Sequence, residues 1–233
     1  MMNLRKSNER GYAEFGGWLK SRHTFSFSDY YDPRFMGFRD LRVINQDWIA
    51  KGAGFPPHPH RDMEIITYVL KGAVAHKDSL GNIGQITAGE IQTMHAGTGI
   101  SHSEFNPSPD EDLQLFQIWI MPDVSGAKPG YTQESFTREQ KLNQLKLIVS
   151  KEGREGSQMI NQDVDLYASV LEPGVEKEFK LRKGRGAWVQ LAEGELEVNG
   201  KVLSSGDGLA IQDEELLKFK ANKETEFLFF DLK

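Results

Sequence analysis

Residues 52–64 read GAGFPPHPHRDME and combine two histidines with three prolines and two glycines. The histidines, His58 and His60, are separated by one residue, and in extended backbone such side chains project to the same face. Because proline cannot donate to a sheet ladder, the three prolines exclude a regular central strand here. We therefore expect the histidine pair to lie in extended backbone at the entrance or rim of a β-structure.

Short apolar runs on both sides of this stretch have the composition of β-strands. Runs rich in Val, Ile, Phe, Tyr and Thr are separated by Gly, Asn, Asp or Pro at intervals of roughly eight to twelve residues. Only residues 136–143, opening at Thr137, have a weak helical signal. The pattern predicts an all-β chain, a sandwich or barrel with few short helices. The expected strands cover residues 41–49, 64–70, 84–87, 91–95, 113–120, 166–171, 187–191, 195–198 and 226–231.

One pattern occurs in both halves of the chain. Residues 70–91 and 192–209 each have the order strand, turn, strand, Gly-acid turn and strand, and a chance match in a glycine-rich protein is the alternative. Between them, residues 121–130 contain two prolines and two glycines without periodicity. We predict two tandem antiparallel β-barrels, covering residues 1–124 and 125–233.

Composition excludes several classes of protein and site. The 233 residues contain no cysteine, so disulfides, thiolate metal sites and cysteine nucleophiles are excluded, and any metal must be bound by nitrogen and oxygen. With 28 basic and 34 acidic residues, the net charge of −6 argues against general nucleic-acid binding. No apolar run has the length of a signal peptide or a membrane span, so we expect a cytoplasmic protein. We also expect a monomer.

A second pair of metal-ligating residue types follows the first. Residues 102–104 read His-Ser-Glu, which repeats the one-residue separation with a carboxylate as its second member. If the two segments face each other inside a barrel, the side chains of His58, His60, His102 and Glu104 converge. Three imidazoles and one carboxylate suit Fe(II), Mn, Ni, Cu or Zn, whereas Ca and Mg prefer more oxygen ligands.

For other polar residues near these two pairs, the sequence allows more than one role. Asp62 or Glu64 could orient an imidazole through its second nitrogen, and Glu64 could itself be a ligand. His95 ends an expected strand, and its position leaves open whether it lines the cavity. We interpret His76 as a surface or hydrogen-bonded imidazole and His23 as structural.

These motifs resemble the cupin superfamily and, within it, the pirin family. Residues 52–64 are similar to the first cupin motif and residues 99–106 to the second, while residues 23–27, 35–38 and 95–100 are particularly like pirins. The resemblance spans essentially the whole chain. It implies a bicupin of two jelly-roll-type barrels.

Two departures from the general cupin pattern are also features of pirins. The glycine after the first motif comes one residue late, at Gly72, and Gly97 replaces the usual proline of the second motif. Many cupins use the first-motif glutamate, here Glu64, as the fourth ligand. The resemblance to pirins instead implies Glu104 beside the three histidines, with Glu64 as a partner that orients a ligand.

The resemblance also implies an activity, that of a quercetin 2,3-dioxygenase. A flavonol would bind one divalent transition metal, and O₂ would cleave its central heterocyclic ring; Fe(II) is the expected metal, with Mn, Ni, Cu, Co and Zn as alternatives. Glu104 would take the proton of the flavonol 3-hydroxyl. The side chains of Met63, Ile65, Met94 and Phe105 would line a slot for the flat ring, or else belong to the core.

Two other functions stay open at this point. One is a metal-containing, redox-responsive regulatory pirin that binds a protein partner without turnover, and the other is a sugar-binding or isomerising cupin that works without O₂. No histidine follows His102, so residues 125–233 cannot repeat the metal site of residues 1–124. We expect the second domain to be structural or a partner surface.

Overall fold

The structure, a computed structural model, describes all 233 residues and consists almost entirely of β-strands. In chain order the strands are β1 (Met2–Arg5), β2 (Gly11–Phe15), β3 (Leu19–His23), β4 (Leu41–Ile49), β5 (Gly54–His60), β6 (Glu64–Lys71), β7 (Ala73–Asp78), β8 (Ile83–Thr87), β9 (Glu90–His95), β10 (Ile100–Phe105), β11 (Leu113–Ile120), β12 (Gly130–Ser135), β13 (Lys146–Ser150), β14 (Gln158–Met159), β15 (Val164–Leu171), β16 (Glu176–Lys180), β17 (Gly186–Glu193), β18 (Glu195–Val198), β19 (Lys201–Ser204), β20 (Gly208–Ile211), β21 (Leu216–Ala221) and β22 (Thr225–Leu232).

Helical structure is limited to one short α-helix and two 3₁₀ turns. The helix, α1 (Arg138–Lys141), begins after Thr137, whose side chain and backbone form a capping box with Gln140. The 3₁₀ turns are Ser7–Glu9 and Arg154–Gly156. At four residues, the α-helix is far shorter than the roughly 20 residues with which a helix crosses a bilayer.

The chain divides into two compact units. The amino-terminal unit comprises Gly11–Phe136 and Ile160–Gln162, and the carboxy-terminal unit comprises Met1–Arg10, Thr137–Met159 and Asp163–Lys233. Each unit contains one seven-stranded and one four-stranded sheet. The predicted all-β architecture with few short helices is confirmed, and each unit is a jelly-roll-type pair of sheets whose strand pairing does not close into a barrel.

The bounds of these units differ from the predicted division between residues 124 and 125. Strand β12, which follows the Pro/Gly-rich segment, pairs with β9 and so extends the amino-terminal unit to Phe136. Strand β1 pairs with β20, so the first ten residues belong to the carboxy-terminal unit. Sheet edges accept strands from anywhere in the chain, and composition alone does not show which edge a terminal strand joins.

In the amino-terminal unit, the strand order is β12-β9-β6-β11-β4-β3-β2 in one sheet and β5-β10-β7-β8 in the other. Alternate residues of these strands face inward, and both sheets contribute to one buried cluster. The cluster consists of Leu19, Ile49, Val69, Val74, Ile86, Leu113 and Leu115. The apolar core therefore lies between the two sheets.

The carboxy-terminal unit repeats this arrangement, with the orders β1-β20-β17-β22-β15-β13-β14 and β16-β21-β18-β19. Its interior contains the stacked rings of Phe219 and Phe227, whose centroids are 5.4 Å apart, and Phe229 packs edge-on against Phe219 at 5.3 Å. The predicted internal repeat corresponds to β6–β9 in one unit and β17–β20 in the other. Equivalent turn glycines, Gly72 and Gly194, have φ of 80° and 96°, a left-handed region that side chains disfavour.

The proline-containing segment forms β5, an edge strand of the four-stranded sheet, as the sequence predicts. Strand β5 pairs with β10, and the register shifts between His102 and Glu104, opposite the two adjacent prolines. At Gly54 the backbones approach so closely that a Cβ atom would overlap the carbonyl oxygen of Glu104. The close pairing of these two strands therefore requires glycine at position 54.

We predict that Gly54→Ala destabilises the protein by about 2 kcal/mol, because a methyl group there forces β5 away from β10. Gly52→Ala is the matched control, since Gly52 has a φ of 68° but open space around its Cβ position, and its cost is about 1 kcal/mol. Urea unfolding measures both free energies. Equal destabilisation by the two substitutions would contradict the steric argument.

Candidate metal centre

The four predicted ligands come from two neighbouring strands, β5 and β10. His58 and His60 lie at alternate positions of β5, and His102 and Glu104 lie at alternate positions of β10. The antiparallel register places His58 directly opposite His102. Strand pairing thus brings together two motifs that are more than 40 residues apart in the chain.

The three imidazoles form one compact group. Their ring centroids are 4.5 Å apart for His58 and His102, 4.8 Å for His58 and His60, and 4.9 Å for His60 and His102. One ligand atom from each ring lies within 4.8 Å of the other two. His102 is buried, whereas the other two histidines are half-buried at the edge strand. This group has the size and the donor type of a metal site.

The hydrogen bond of His58 selects the nitrogen that faces the group. Its Nδ1 lies 2.9 Å from the carbonyl oxygen of Pro56, which can only accept, so Nδ1 carries the proton. The lone pair of this imidazole is therefore on Nε2. A ligand histidine whose second nitrogen donates to a backbone carbonyl is a common arrangement in metal sites.

A series of hydrogen bonds among three buried side chains, His102, His76 and Asp78, determines which nitrogen of His102 carries its proton. The Nδ1 of His102 lies 3.4 Å from Nδ1 of His76, and Nε2 of His76 lies 3.2 Å from a carboxylate oxygen of Asp78. Because the carboxylate accepts the proton on His76 Nε2, His76 Nδ1 is an acceptor for the proton on His102 Nδ1. The lone pair of His102 is thus directed to Nε2, toward the other two histidines.

Asp78 is itself held as an acceptor. It accepts hydrogen bonds from the backbone amides of Leu80 and Asn82 and from the Asn82 side chain. Burial alone raises the pKa of Asp78, but its hydrogen bonds with Asn82, His76 and Leu80 outweigh this effect and hold the pKa below its usual value. The carboxylate that orients His76 is therefore ionised at neutral pH.

His76 is hydrogen-bonded, one of the two roles predicted for it, but it is buried rather than on the surface. Its ring stacks on Tyr131 with centroids 4.5 Å apart, and its partners are Asp78 and the predicted ligand His102. The sequence contains a signal for this role, since residues 76–78 read His-Lys-Asp and repeat the His-x-carboxylate spacing of residues 102–104.

Burial keeps two of the clustered imidazoles neutral. Burial, followed by the charges of His102 and His58, lowers the pKa of His60 to about 4. Burial, followed by the charges of His58 and His76, lowers the pKa of His102 to about 3. The Nε2 atoms of these two rings lie 3.0 Å apart. Two imidazole nitrogens at this separation are stabilised by a proton or a cation between them, and a borderline divalent metal fits this donor set.

Glu104 lies beside the three-histidine group but is not part of it. Its buried carboxylate accepts hydrogen bonds from Thr67 Oγ1 at 3.1 Å and from Gln117 Nε2 at 2.8 Å. It forms a second, overlapping group with His76 and His102, in which one ligand atom of each lies within 4.8 Å of the others. Its position as a fourth ligand stays a prediction.

Glu64 and Asp62 have hydrogen-bond partners other than the three predicted ligand histidines. Glu64 lies in the seven-stranded sheet, opposite His95, and its carboxylate binds His95 Nδ1 and Asn161 Nδ2. Asp62 accepts a hydrogen bond from the backbone amide of Gly126. Glu64 thus belongs to neither group of potential metal ligands, and the imidazole that it binds is that of His95, in its own sheet.

A cavity of about 180 Å³ adjoins the histidine group. Its apolar wall consists of Phe27, Phe55 and Trp119, and His58, His60 and Glu104 also line it. The ring of Trp119 packs edge-on against His60, with centroids 5.0 Å apart. The sequence did not single out these three aromatic residues, although Phe27 lies in residues 23–27 and Phe55 in residues 52–64. Spacing along one segment does not show which rings from separate strands and loops line the same cavity.

The residues expected to form the slot have other positions. Ile65 and Met94 belong to a buried core cluster, against which Met63 packs, and Phe105 is exposed. His95 is bound to Glu64 and does not line the cavity. The alternative that these apolar side chains belong to the core is therefore correct for Ile65 and Met94. A flat ligand at the histidine group meets the aromatic wall instead.

Comparison with known families gives two matches that together cover most of the chain. A sequence model described as Pirin matches residues 3–120, and one described as Quercetinase C-terminal cupin domain matches residues 147–232. The boundary between the matches lies in the region where the two structural units meet in sequence.

Comparison with individual proteins gives relatives of nearly equal length. The quercetin 2,3-dioxygenase of Escherichia coli K12 is 50% identical over 232 residues, covering 100% of this chain and 99% of the relative. A pirin-like protein of Caulobacter vibrioides is 39% identical and covers 99% of both chains. The crystal structure of the E. coli bacterial pirin YhhW in complex with nickel(II) has a TM-score of 0.95 at 50% identity, with coverages of 100% and 99%.

We predict that Asp78→Asn weakens the binding of a divalent metal by about 10- to 100-fold, because the amide no longer selects the His76 tautomer that orients His102. Asn82→Ala is the matched control, since it removes a contact to Asp78 but leaves the His76 contact in place. Competition with a chromogenic chelator measures the affinities. Equal affinities for the two variants would contradict the proposed chain.

The pH dependence of the metal-free protein gives a second test. His60 and His102 have pKa values of about 4 and about 3 in the folded state, below the value of roughly 6.5 in the unfolded state. The unfolded state therefore takes up protons first, and the stability that is present above pH 6.5 is lost progressively as the pH falls from 6.5 toward 4. Urea unfolding from pH 7.5 to 4.5 measures this loss, and a His60→Gln/His102→Gln double variant with an unchanged slope would contradict it.

Proposed function

Since the chain belongs to the pirin family, we propose that it is a metal-dependent dioxygenase that opens the heterocyclic ring of a flavonol, such as quercetin, with O₂. The observation that carries this proposal is the group of three imidazoles at an aromatic-lined cavity, in which hydrogen bonds direct the lone pairs of His58 and His102 into the group. The quercetin dioxygenase of E. coli, at 50% identity, supports the same reaction.

The proposed metal ligands are His58, His60, His102 and Glu104. Their three imidazole nitrogens and one carboxylate fit a single divalent transition metal, with Fe(II) first and Mn, Ni, Cu, Co and Zn as alternatives. When bound, the metal supplies a Lewis acid for the flavonol oxygens and a route for electrons between the substrate and O₂. The nickel complex of the E. coli pirin supports a late first-row metal at such a site.

Glu104 is the proposed acceptor of the flavonol 3-hydroxyl proton. Its carboxylate is buried and lines the cavity, so it is within reach of a ligand at the histidine group. Thr67 and Gln117 donate to its two oxygens and hold the carboxylate in one orientation. Removal of this proton makes the flavonol oxygen a stronger ligand and its ring richer in electrons.

The aromatic wall would hold the flavonol and exclude water. Phe27 packs edge-on against Trp119, with centroids 5.3 Å apart, and both line the cavity with Phe55. Rigid aromatic side chains offer a flat apolar surface for stacking or edge contacts with a planar ring. A dry cavity also strengthens the electrostatic interaction between Glu104 and the substrate hydroxyl.

We propose a non-catalytic role for the second predicted domain, residues 125–233. Both groups of potential metal ligands in the structure come from strands β5, β7 and β10 of the amino-terminal unit. The carboxy-terminal unit has no histidine and fills its interior with apolar side chains. A structural role or a partner surface is consistent with this composition. Cytoplasmic location and a monomeric state stay predictions.

A second candidate is a regulatory pirin that binds a metal and a protein partner without turnover. The name of the Caulobacter relative, a pirin-like protein at 39% identity, favours keeping this alternative because it states no reaction. Its chemistry requires the same histidine group, so the metal alone does not separate the two functions. Consumption of O₂ on addition of a flavonol distinguishes the dioxygenase from the regulatory protein.

We predict that protein loaded with Fe(II), Mn(II), Ni(II), Co(II), Cu(II) or Zn(II) in separate preparations consumes O₂ on addition of quercetin with at least one metal. His102→Ala is expected to lose both bound metal and turnover, because it removes the central imidazole of the group. An oxygen electrode and metal analysis measure the two quantities. His95→Ala is the matched control, since His95 lies outside the group.

Three outcomes would decide against parts of this proposal. Metal-loaded protein without turnover on any flavonol would exclude the dioxygenase and leave the regulatory function. Turnover of another substrate without O₂ would point to an isomerising cupin. Stoichiometric metal in a His58→Ala/His102→Ala double variant would show that the site lies elsewhere.

A further inference from the structure

A second cavity adjoins the one at the histidine group. It has a volume of about 260 Å³, against about 180 Å³ for the first. The two cavities share Phe27, Phe55, Asn45 and Asp47 as lining residues, so they adjoin along one wall. Together they reach the size range of small-molecule binding sites. The amino-terminal unit therefore has room for a ligand that extends beyond the histidine group.

A block of four buried polar side chains lines the second cavity. Ser21 and His23 lie on β3, Asn45 and Asp47 lie on β4, and the strand register pairs Ser21 with Asp47 and His23 with Asn45. Their exposed fractions are 2%, 4%, 3% and 5%. The next inward positions of the same strands belong to the apolar core cluster. The four polar side chains therefore occupy inward-facing positions of β3 and β4 that apolar residues usually fill.

Hydrogen bonds within the block offset the cost of its burial. The Ser21 hydroxyl donates to Asp47, and His23 Nδ1 donates to the Asn45 side-chain oxygen at 2.8 Å. A buried polar group that is not hydrogen-bonded costs several kcal/mol in an apolar environment, so such a block needs these bonds to form at all. Apolar residues would fill the same space without this requirement. Few but ordered polar groups in an apolar cavity are what binding sites use to orient a ligand.

The other lining residues define the chemical class of that ligand. No lysine or arginine lines either cavity, and the carboxylates of Asp47 and Glu104 disfavour anions such as phosphates or carboxylates. The walls are aromatic: Trp18 packs edge-on against Phe55 at 5.2 Å. The indole nitrogen of Trp119 is buried without a hydrogen-bond partner. A neutral, planar aromatic molecule with hydroxyl groups matches these surroundings.

We propose that Ser21, His23, Asn45 and Asp47 form a subsite that recognises phenolic hydroxyl groups of the substrate in the second cavity. This inference rests on the proposed function, in which the hydroxyl next to the flavonol carbonyl is at the histidine group. A phenol donates to a carboxylate or an imidazole and accepts from a hydroxyl, an amide or an imidazole, and the block supplies both kinds of partner. The subsite selects polyhydroxylated flavonols over unsubstituted ones.

The test compares quercetin with 3-hydroxyflavone, which keeps only the hydroxyl next to the carbonyl. In Asp47→Asn, KM for quercetin is expected to rise roughly ten- to hundredfold, the effect of losing a hydrogen bond to a charged group. In Ser21→Ala it is expected to rise roughly two- to tenfold, because Ser21 is neutral and its hydroxyl holds the Asp47 carboxylate in place. KM for 3-hydroxyflavone and kcat for both substrates are expected to change little. Asp110→Asn, the same chemical change at an exposed position, is the matched control.

Anaerobic binding separates the subsite from the reaction. Tryptophan fluorescence measures Kd for both flavonols on metal-loaded wild-type protein and on the variants, with equal metal content and unfolding midpoint as the criterion of an intact fold. Tighter wild-type binding of quercetin that both variants lose supports the subsite even where turnover is absent. Equal Kd values for the two flavonols, or a preference for quercetin that Ser21→Ala and Asp47→Asn both retain, would overturn it even where turnover proceeds.

Discussion

The antiparallel pairing of β5 with β10 is the contact on which the candidate site depends. It sets His58 opposite His102 and brings Glu104 into the same unit interior. The pairing is unusual in its chemistry, because β5 is an edge strand whose prolines cannot complete a ladder, and the register shifts beside them. Gly54 allows the backbones to approach at the end of this pair. Strand β5 therefore lacks a regular hydrogen-bond ladder, but its extended backbone places the imidazoles of His58 and His60 beside β10.

The polar groups around the three imidazoles are held in defined orientations by hydrogen bonds. Burial keeps His60 and His102 unprotonated at neutral pH, and a fixed acceptor, Asp78, sets the tautomer of the chain that ends at His102. Each hydrogen bond leaves a nitrogen lone pair directed into the group. Desolvation and hydrogen bonding thus act together. Desolvation keeps the imidazoles free of the proton that would compete with a metal, and hydrogen bonding fixes which ring nitrogen faces the group.

The two units show how one topology is used for different purposes. Both have a seven-stranded and a four-stranded sheet, with glycines at equivalent turns. The carboxy-terminal unit fills the space between its sheets with apolar side chains, including Phe219 and Phe229. The amino-terminal unit places polar residues on inward positions and retains cavities beside them. The two units therefore share a topology and differ in what fills the space between their sheets.

Residue spacing and composition were enough to predict an all-β fold with two repeated units, the proline-rich edge and the convergence of three histidines. Alternation in strands is a local property, and the absence of cysteine restricts a metal site to nitrogen and oxygen ligands. Tertiary structure alone decided that Glu64 binds His95, that β1 joins the distant carboxy-terminal unit and that His23 faces a cavity. These outcomes depend on register and on sheet order between segments far apart in the chain, which no local pattern encodes.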